Sequence, residues 1–72
     1  MKTDKDYGKI LKIIAGNIQM IRHERGLTQE DMMDFGFNYR HYQKIESGRY
    51  SPNLKTLHRL ATAFKVSISE FF

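Results

Sequence analysis

The chain has 72 residues, a net charge of +4 and an isoelectric point near 9.6, so it is read as one small basic domain, a class that buries only about 60% of its unfolded surface. It has no cysteine, which excludes a disulfide framework and, with no secretory segment in view, leads to the expectation of a reducing, cytoplasmic setting. The longest apolar run is Ile13-Ile14-Ala15, too short for a membrane span.

Residues 1–9 mix charges of both signs around Gly8 and read as a loosely ordered lead-in; residues 10–72 read as the folded domain. From Ile10, the residues Ile14, Ile18 and Ile21 recur at helical spacing. This first helix is expected to run to about Arg25, with Gly26 as its stop. Its opening turn, with Ile10, Leu11, Ile13 and Ile14, is apolar almost all round, more than one core face needs.

Thr28 is a good N-cap for a second helix to Phe35, and Asp31 completes a variant of the capping box. Glu30 and Asp31 place acids where the helix dipole favours them. Met32 and Phe35 are expected to face the core, with Met33 against a neighbouring helix. Gly36 supplies the positive φ of a sharp corner, and Asn38 caps a third helix to Glu46. Asn53, or Ser51 with Pro52 at N1, opens a fourth helix with an apolar stripe of Leu54, Leu57, Leu60, Ala61 and Phe64. Ser67 to Glu70 has the form of a capping box for a short fifth helix, with Val66 and Phe71 as its hydrophobic staple. No alternation of strand type competes, so the predicted fold is all-α, a compact five-helix bundle.

Two short helices joined at a Gly corner form a helix-turn-helix, whose second helix is built to enter a DNA major groove. On a step of about 100° per residue, Tyr39, Tyr42, Ile45 and Glu46 fall on one side of that helix, and Arg40, Gln43, Lys44 and Ser47 on the other. Arg40 and His41 lie in its first turn, where the dipole penalises positive charge by ~0.3–1 kcal/mol each. A local rule broken in this way marks a functional surface. Between Phe37 and Arg59 the bases are Arg40, Lys44, Arg49, Lys55 and Arg59 against the single acid Glu46, a local charge equal to that of the whole chain. Arg and Lys can donate to guanine O6 and N7, and Gln can pair with adenine N6 and N7. Arg40, Gln43 and Lys44 are therefore the candidate base readers, with Tyr39 beside them. Thr28, Gln29, Asn38, Ser47, Arg49 and Tyr50 are candidates for contacts to the DNA backbone.

Residues 14–72 resemble the helix-turn-helix domain of the phage repressor and Cro type, often called the Xre family. The resemblance rests on IRHERGLTQEDM, Gly36, YQKIESG, SPNLKTLHRLATAF and VSISEFF in that order and spacing. It implies a fold like that of lambda repressor. The implied function is sequence-specific binding of double-stranded DNA by a small transcriptional regulator, a repressor or autoregulator, bacterial or phage-encoded. It further implies a structural ion pair between Arg22 and Glu46, and a homodimer on a two-fold symmetric operator. Ile10, Leu11, Ile13, Phe71 and Phe72 are the candidate dimer residues. The chain departs from the family pattern at Met33, at Tyr42, at Lys65 and in the opening Tyr39-Arg40-His41 of the recognition helix.

His23, His41 and His58 lack metal-ligand spacing, and no phosphate loop or nucleophile motif is present, so neither an enzyme nor a bound metal or cofactor is expected. The alternatives to a simple regulator are an antitoxin, which would also bind a toxin, a restriction-modification controller, and a protein-interaction module on the same fold.

Overall fold

The computed structural model describes residues 2–72 of the backbone and the side chains from Asp6 onward. Among these residues every regular element is helical and no strand occurs. Three α-helices form, α1 (Lys2–Glu24), α2 (Tyr39–Glu46) and α3 (Leu54–Phe64). The expected second and fifth helices are instead 3-10 helices, Glu30–Phe35 and Ile68–Phe71. Ile68–Phe71, at four residues, has the usual length of a 3-10 helix, whereas Glu30–Phe35, at six, is longer than most. No helix among the described residues is long and apolar enough to cross a membrane.

The helix α1 begins at Lys2 rather than Ile10, so the expected lead-in is helical; Met1 lies outside the described residues. The reason is visible in the spacing. Tyr7, Leu11, Ile14, Ile18 and Ile21 step by four and three along one face, and that continuity outweighs the roughly 1 kcal/mol that Gly8 costs a helix. At about 1.5 Å per residue the 23-residue α1 is some 34 Å long, the one element able to set the 40 Å long axis of the molecule. It ends as expected. The Leu27 amide donates to the Arg22 carbonyl at 3.1 Å and the Gly26 amide to that of His23 at 2.9 Å, the paired bonds of a glycine stop.

One core unites all five elements: Ile14, Ile18 and Ile21 of α1, Met32, Phe37, Tyr42 and Ile45 of the motif, Leu57, Leu60, Ala61 and Phe64 of α3, and Phe71. Asn38 and Asn53 cap α2 and α3 through their side-chain oxygens, which accept from the amides of His41 (3.1 Å) and Thr56 (2.8 Å).

Several apolar residues do not lie where the sequence pattern places them. Phe35 is exposed, and Phe37 is buried in its stead. The cause is Gly36, whose φ of +88° turns the chain so that Phe37, two residues after the expected position, enters the core. There it meets Tyr42 edge to face at 5.8 Å. Outside it the Arg59 guanidinium lies 4.3 Å from the ring centre and donates to the Gly36 carbonyl at 3.0 Å. Met33 points to solvent rather than to a neighbouring helix. Leu54 is 72% exposed, because the Asn53 cap starts α3 outside the core and the stripe becomes effective only at Leu57. The capping box at Ser67 does not form: its hydroxyl oxygen accepts from the Ser69 amide at 3.4 Å, and Glu70 is held through its own amide by the Ser67 carbonyl at 3.0 Å. Lys65, where the resemblance leads one to look for glycine, takes the left-handed conformation (φ 59°) that ends α3.

Candidate nucleic-acid interface

The interface is built on α2 and on what holds it. Along α2 the inward side chains Tyr42, Ile45 and Glu46 are buried, while Arg40, Gln43, Lys44 and Ser47 are exposed and Tyr39 is half-buried. The two faces read from the 100° step are thus physically separated. Among the described residues no carboxylate lies within ion-pair distance of Arg40 or Lys44, so both charges face outward.

The side of α2 away from solvent is fixed by one buried carboxylate. Glu46 accepts from Arg22 Nε at 2.7 Å and Nη2 at 3.1 Å, from Gln29 Nε2 at 3.0 Å, and from the Tyr42 hydroxyl. Burial pushes the Glu46 carboxyl upward, but the hydrogen bonds from Arg22, Tyr42 and Gln29 outweigh it and hold the group below its usual range. The Arg22 guanidinium is raised by its hydrogen bond to Glu46 against the opposing effect of burial. The Tyr42 hydroxyl is raised by burial and by the same carboxylate, so it stays a donor. Gln19 adds a bond from Nε2 to the Glu46 carbonyl at 2.9 Å. Helix α1 therefore grips the C-terminal end of α2 through both side chain and backbone.

This network changes the standing of some expected backbone contacts. The Gln29 side-chain Nε2 already gives one of its two N–H groups to Glu46. Thr28 and Asp31 form the reciprocal box, Thr28 donating its amide to Asp31 Oδ2 at 2.8 Å and Asp31 its amide to Thr28 Oγ1 at 3.1 Å. Asn38 caps α2, and the Ser47 hydroxyl donates to the Lys44 carbonyl at 2.6 Å and accepts from the Arg49 amide at 3.2 Å. These four residues shape the backbone around the interface. Arg49 is exposed and its side chain is not so engaged. Tyr50 is half-buried, edge-on to His41 at 5.3 Å. That pair is absent from the sequence reading; the only signal for it was two aromatic rings flanking the glycine exit of α2.

With this geometry the relationships of the chain can be placed. The family model described as helix-turn-helix matches residues 18–71. The chain belongs to the helix-turn-helix family. The matched helix-turn-helix span begins within α1 and takes in every later element, so the first four or so turns of α1, before residue 18, lie outside it. A relative in Sinorhizobium fredii, an uncharacterized HTH-type transcriptional regulator, y4dJ, is 39% identical over 57 residues, covering 78% of this chain and 74% of the relative. No solved structure matches the chain.

Among the expected dimer residues, Phe71 is fully buried against Phe64, with ring centres 6.3 Å apart. It belongs to the core and is not available to a partner; Asn17 Nδ2 holds its carbonyl at 2.9 Å. Ile10 and Ile13 are 46% and 54% exposed and Phe72 is 64% exposed; with Ile14 they line one apolar groove. Leu11 is half-buried.

Proposed function

We propose that the protein is a small transcriptional regulator of the lambda-repressor-like type that binds double-stranded DNA with α2 in the major groove. One observation carries this reading: α2 has a buried face locked to α1 through Glu46 and an opposite face of Arg40, Gln43 and Lys44 with no internal partner for its charges. A helix built only for packing has no use for Arg40 in its first turn, against the dipole. The similarity to a relative named as an HTH-type transcriptional regulator supports the same reading. Arg40 and Lys44 would donate to guanine edges and Gln43 to an adenine edge, while Arg49 would take a phosphate. Titration of duplex DNA across a salt series tests it. The wild-type affinity should fall steeply with salt, and Arg49→Ala should weaken all duplexes alike and flatten the slope by about 0.9, the value of one lost phosphate contact. Absence of duplex binding by the folded protein at low salt would refute the reading and leave the interaction-module alternative.

We also propose a homodimer joined across the groove of Ile10, Ile13 and Phe72. With Tyr7 and Met20 flanking it, apolar side chain of this size covers on the order of 1,000 Å² over two copies, the lower bound for a specific interface. To read a two-fold symmetric operator, such an isologous pair would have to set its two α2 helices about 34 Å apart, one turn of DNA. Sedimentation with duplex present should give two protomers per DNA, and Ile13→Asp should reduce this to one; a wild-type complex with a single protomer rules the dimer out.

A further inference from the structure

By sequence, residues 1–36 carry no net charge and contribute nothing to an electrostatic footprint. The fold changes this. Helix α1 lies alongside the exit of α2 in a ladder of contacts that can be followed turn by turn. Arg22 holds the Glu46 carboxylate and Gln19 holds the Glu46 carbonyl. One to two turns nearer the N-terminus, α1 passes directly against Gly48. A methyl group placed on Gly48 would meet Lys12 Cγ at 3.3 Å, Lys12 Cα at 3.6 Å and Ala15 Cβ at 3.9 Å. With its φ of +77°, Gly48 is required here on two counts, by its own backbone and by the Lys12 stem that lies across it. Lys12 is otherwise exposed, so its stem packs on Gly48 while its ammonium stands clear, beside the residue that precedes Arg49.

Lys9 follows one turn further along. On the 100° step it lies about 60° round α1 from Lys12, and it too is exposed. Asp6 and Glu24 fall about 120° from Lys12 on the same step, and Asp6, one turn before Lys9 and about 60° from it, forms no ion pair with either lysine. Of the acids of the first 3-10 helix, Asp31 is held by the Thr28 amide, and neither Glu30 nor Asp34 pairs with a lysine of α1. Glu46, the one acid of the motif, is buried under Arg22. No carboxylate among the described residues pairs with Lys9 or Lys12.

We propose that Lys9 and Lys12 form a phosphate-binding track that continues the DNA footprint from Arg49 onto α1, so that α1 contacts the duplex backbone beyond the bases that α2 reads. The proposal rests on the DNA-binding reading above. Its ligand is the phosphodiester backbone, without regard to sequence, because two exposed ammonium groups on flexible stems attract charge and carry no base code. The chain thereby gains contacts from turns of α1 that precede the family match at residue 18.

The test is the salt dependence of duplex binding by the full chain, measured for wild type, Lys9→Gln/Lys12→Gln and the control Lys65→Gln, which changes a lysine at the far end of α3. Circular dichroism verifies that each is folded. Each phosphate contact contributes about 0.9 to the slope of log K against log salt, so the double variant should have a slope shallower by about 1.8. It should bind cognate and random duplexes more weakly by the same factor, and Lys65→Gln should match wild type. A double-variant slope equal to that of wild type, or an equal change in Lys65→Gln, overturns the track while leaving the DNA reading intact. Failure of the wild-type protein to bind any duplex overturns both.

Discussion

Glu46→Ala should lower the melting temperature by 10 °C or more. The substitution strips Arg22, Gln29 and the Tyr42 hydroxyl of one shared acceptor. Two of these belong to residues that are themselves buried. Removing one partner of a buried ion pair costs about 3–5 kcal/mol, and in a domain of this size each kcal/mol moves the midpoint by roughly 4–8 °C. Glu46→Gln should cost less, since an amide oxygen still accepts from Arg22. The pair Arg22→Ala/Glu46→Ala should fall short of the sum of its single changes, because each alone leaves a buried group unpaired. The effect has a pH signature of definite sign. The Glu46 pKa is lower in the folded chain than its ordinary value of 4.5, so its contribution is complete above that value and is lost as pH falls through the folded pKa. Thermal melts in mild acid should show wild type losing stability over that window and Glu46→Gln losing less. A melting temperature unchanged in Glu46→Ala would show that the network does not hold α2 in place.

Arg40→Ala should do the reverse: leave the fold intact and damage DNA binding. Arg40 is exposed, makes no ion pair among the described residues and stands in the first turn of α2. Its removal relieves an unfavourable interaction with the helix dipole, so stability should hold or rise by ~0.3–1 kcal/mol. On its cognate site the variant should lose about 1–3 kcal/mol, a factor of roughly 5 to 150, with discrimination relaxed at the base pair Arg40 reads. The opposite directions of the two effects are what separate a recognition residue from a structural one. Equal affinity of Arg40→Ala and wild type for the selected site, measured by fluorescence anisotropy, would remove Arg40 from the base readers.

The two faces of α2 were legible in the sequence because a short, well-capped helix with strong polarity obeys a simple angular rule. Asn38, Asn53, Gly26 and Gly36 acted where their local chemistry places them, and the ion pair implied for Arg22 and Glu46 forms. What escaped the sequence depends on where one element meets another. Phe35 and Phe37 exchange roles because a positive φ at Gly36 redirects the chain, and a helical period carried through that corner assigns the wrong ring to the core. Gln29 lies 17 residues from Glu46, a distance at which periodicity identifies a face and not a neighbour. Phe71 and Phe72 look alike in sequence, yet the bond from Asn17 to the Phe71 carbonyl goes with one ring in the core and the other in solvent. Lys9 and Lys12 were hidden by charge bookkeeping along the chain, which cancels them against acids of which none among the described residues pairs with them.

The central claim, that α2 reads a DNA sequence, is met most directly by selecting bound sites from a pool of random double-stranded DNA. The protein should enrich one recurring motif containing guanines and an adenine, the bases that Arg40, Lys44 and Gln43 can distinguish. That enrichment should weaken or change at one base pair for Arg40→Ala. A pool that remains random after repeated rounds with protein shown to be folded would contradict it.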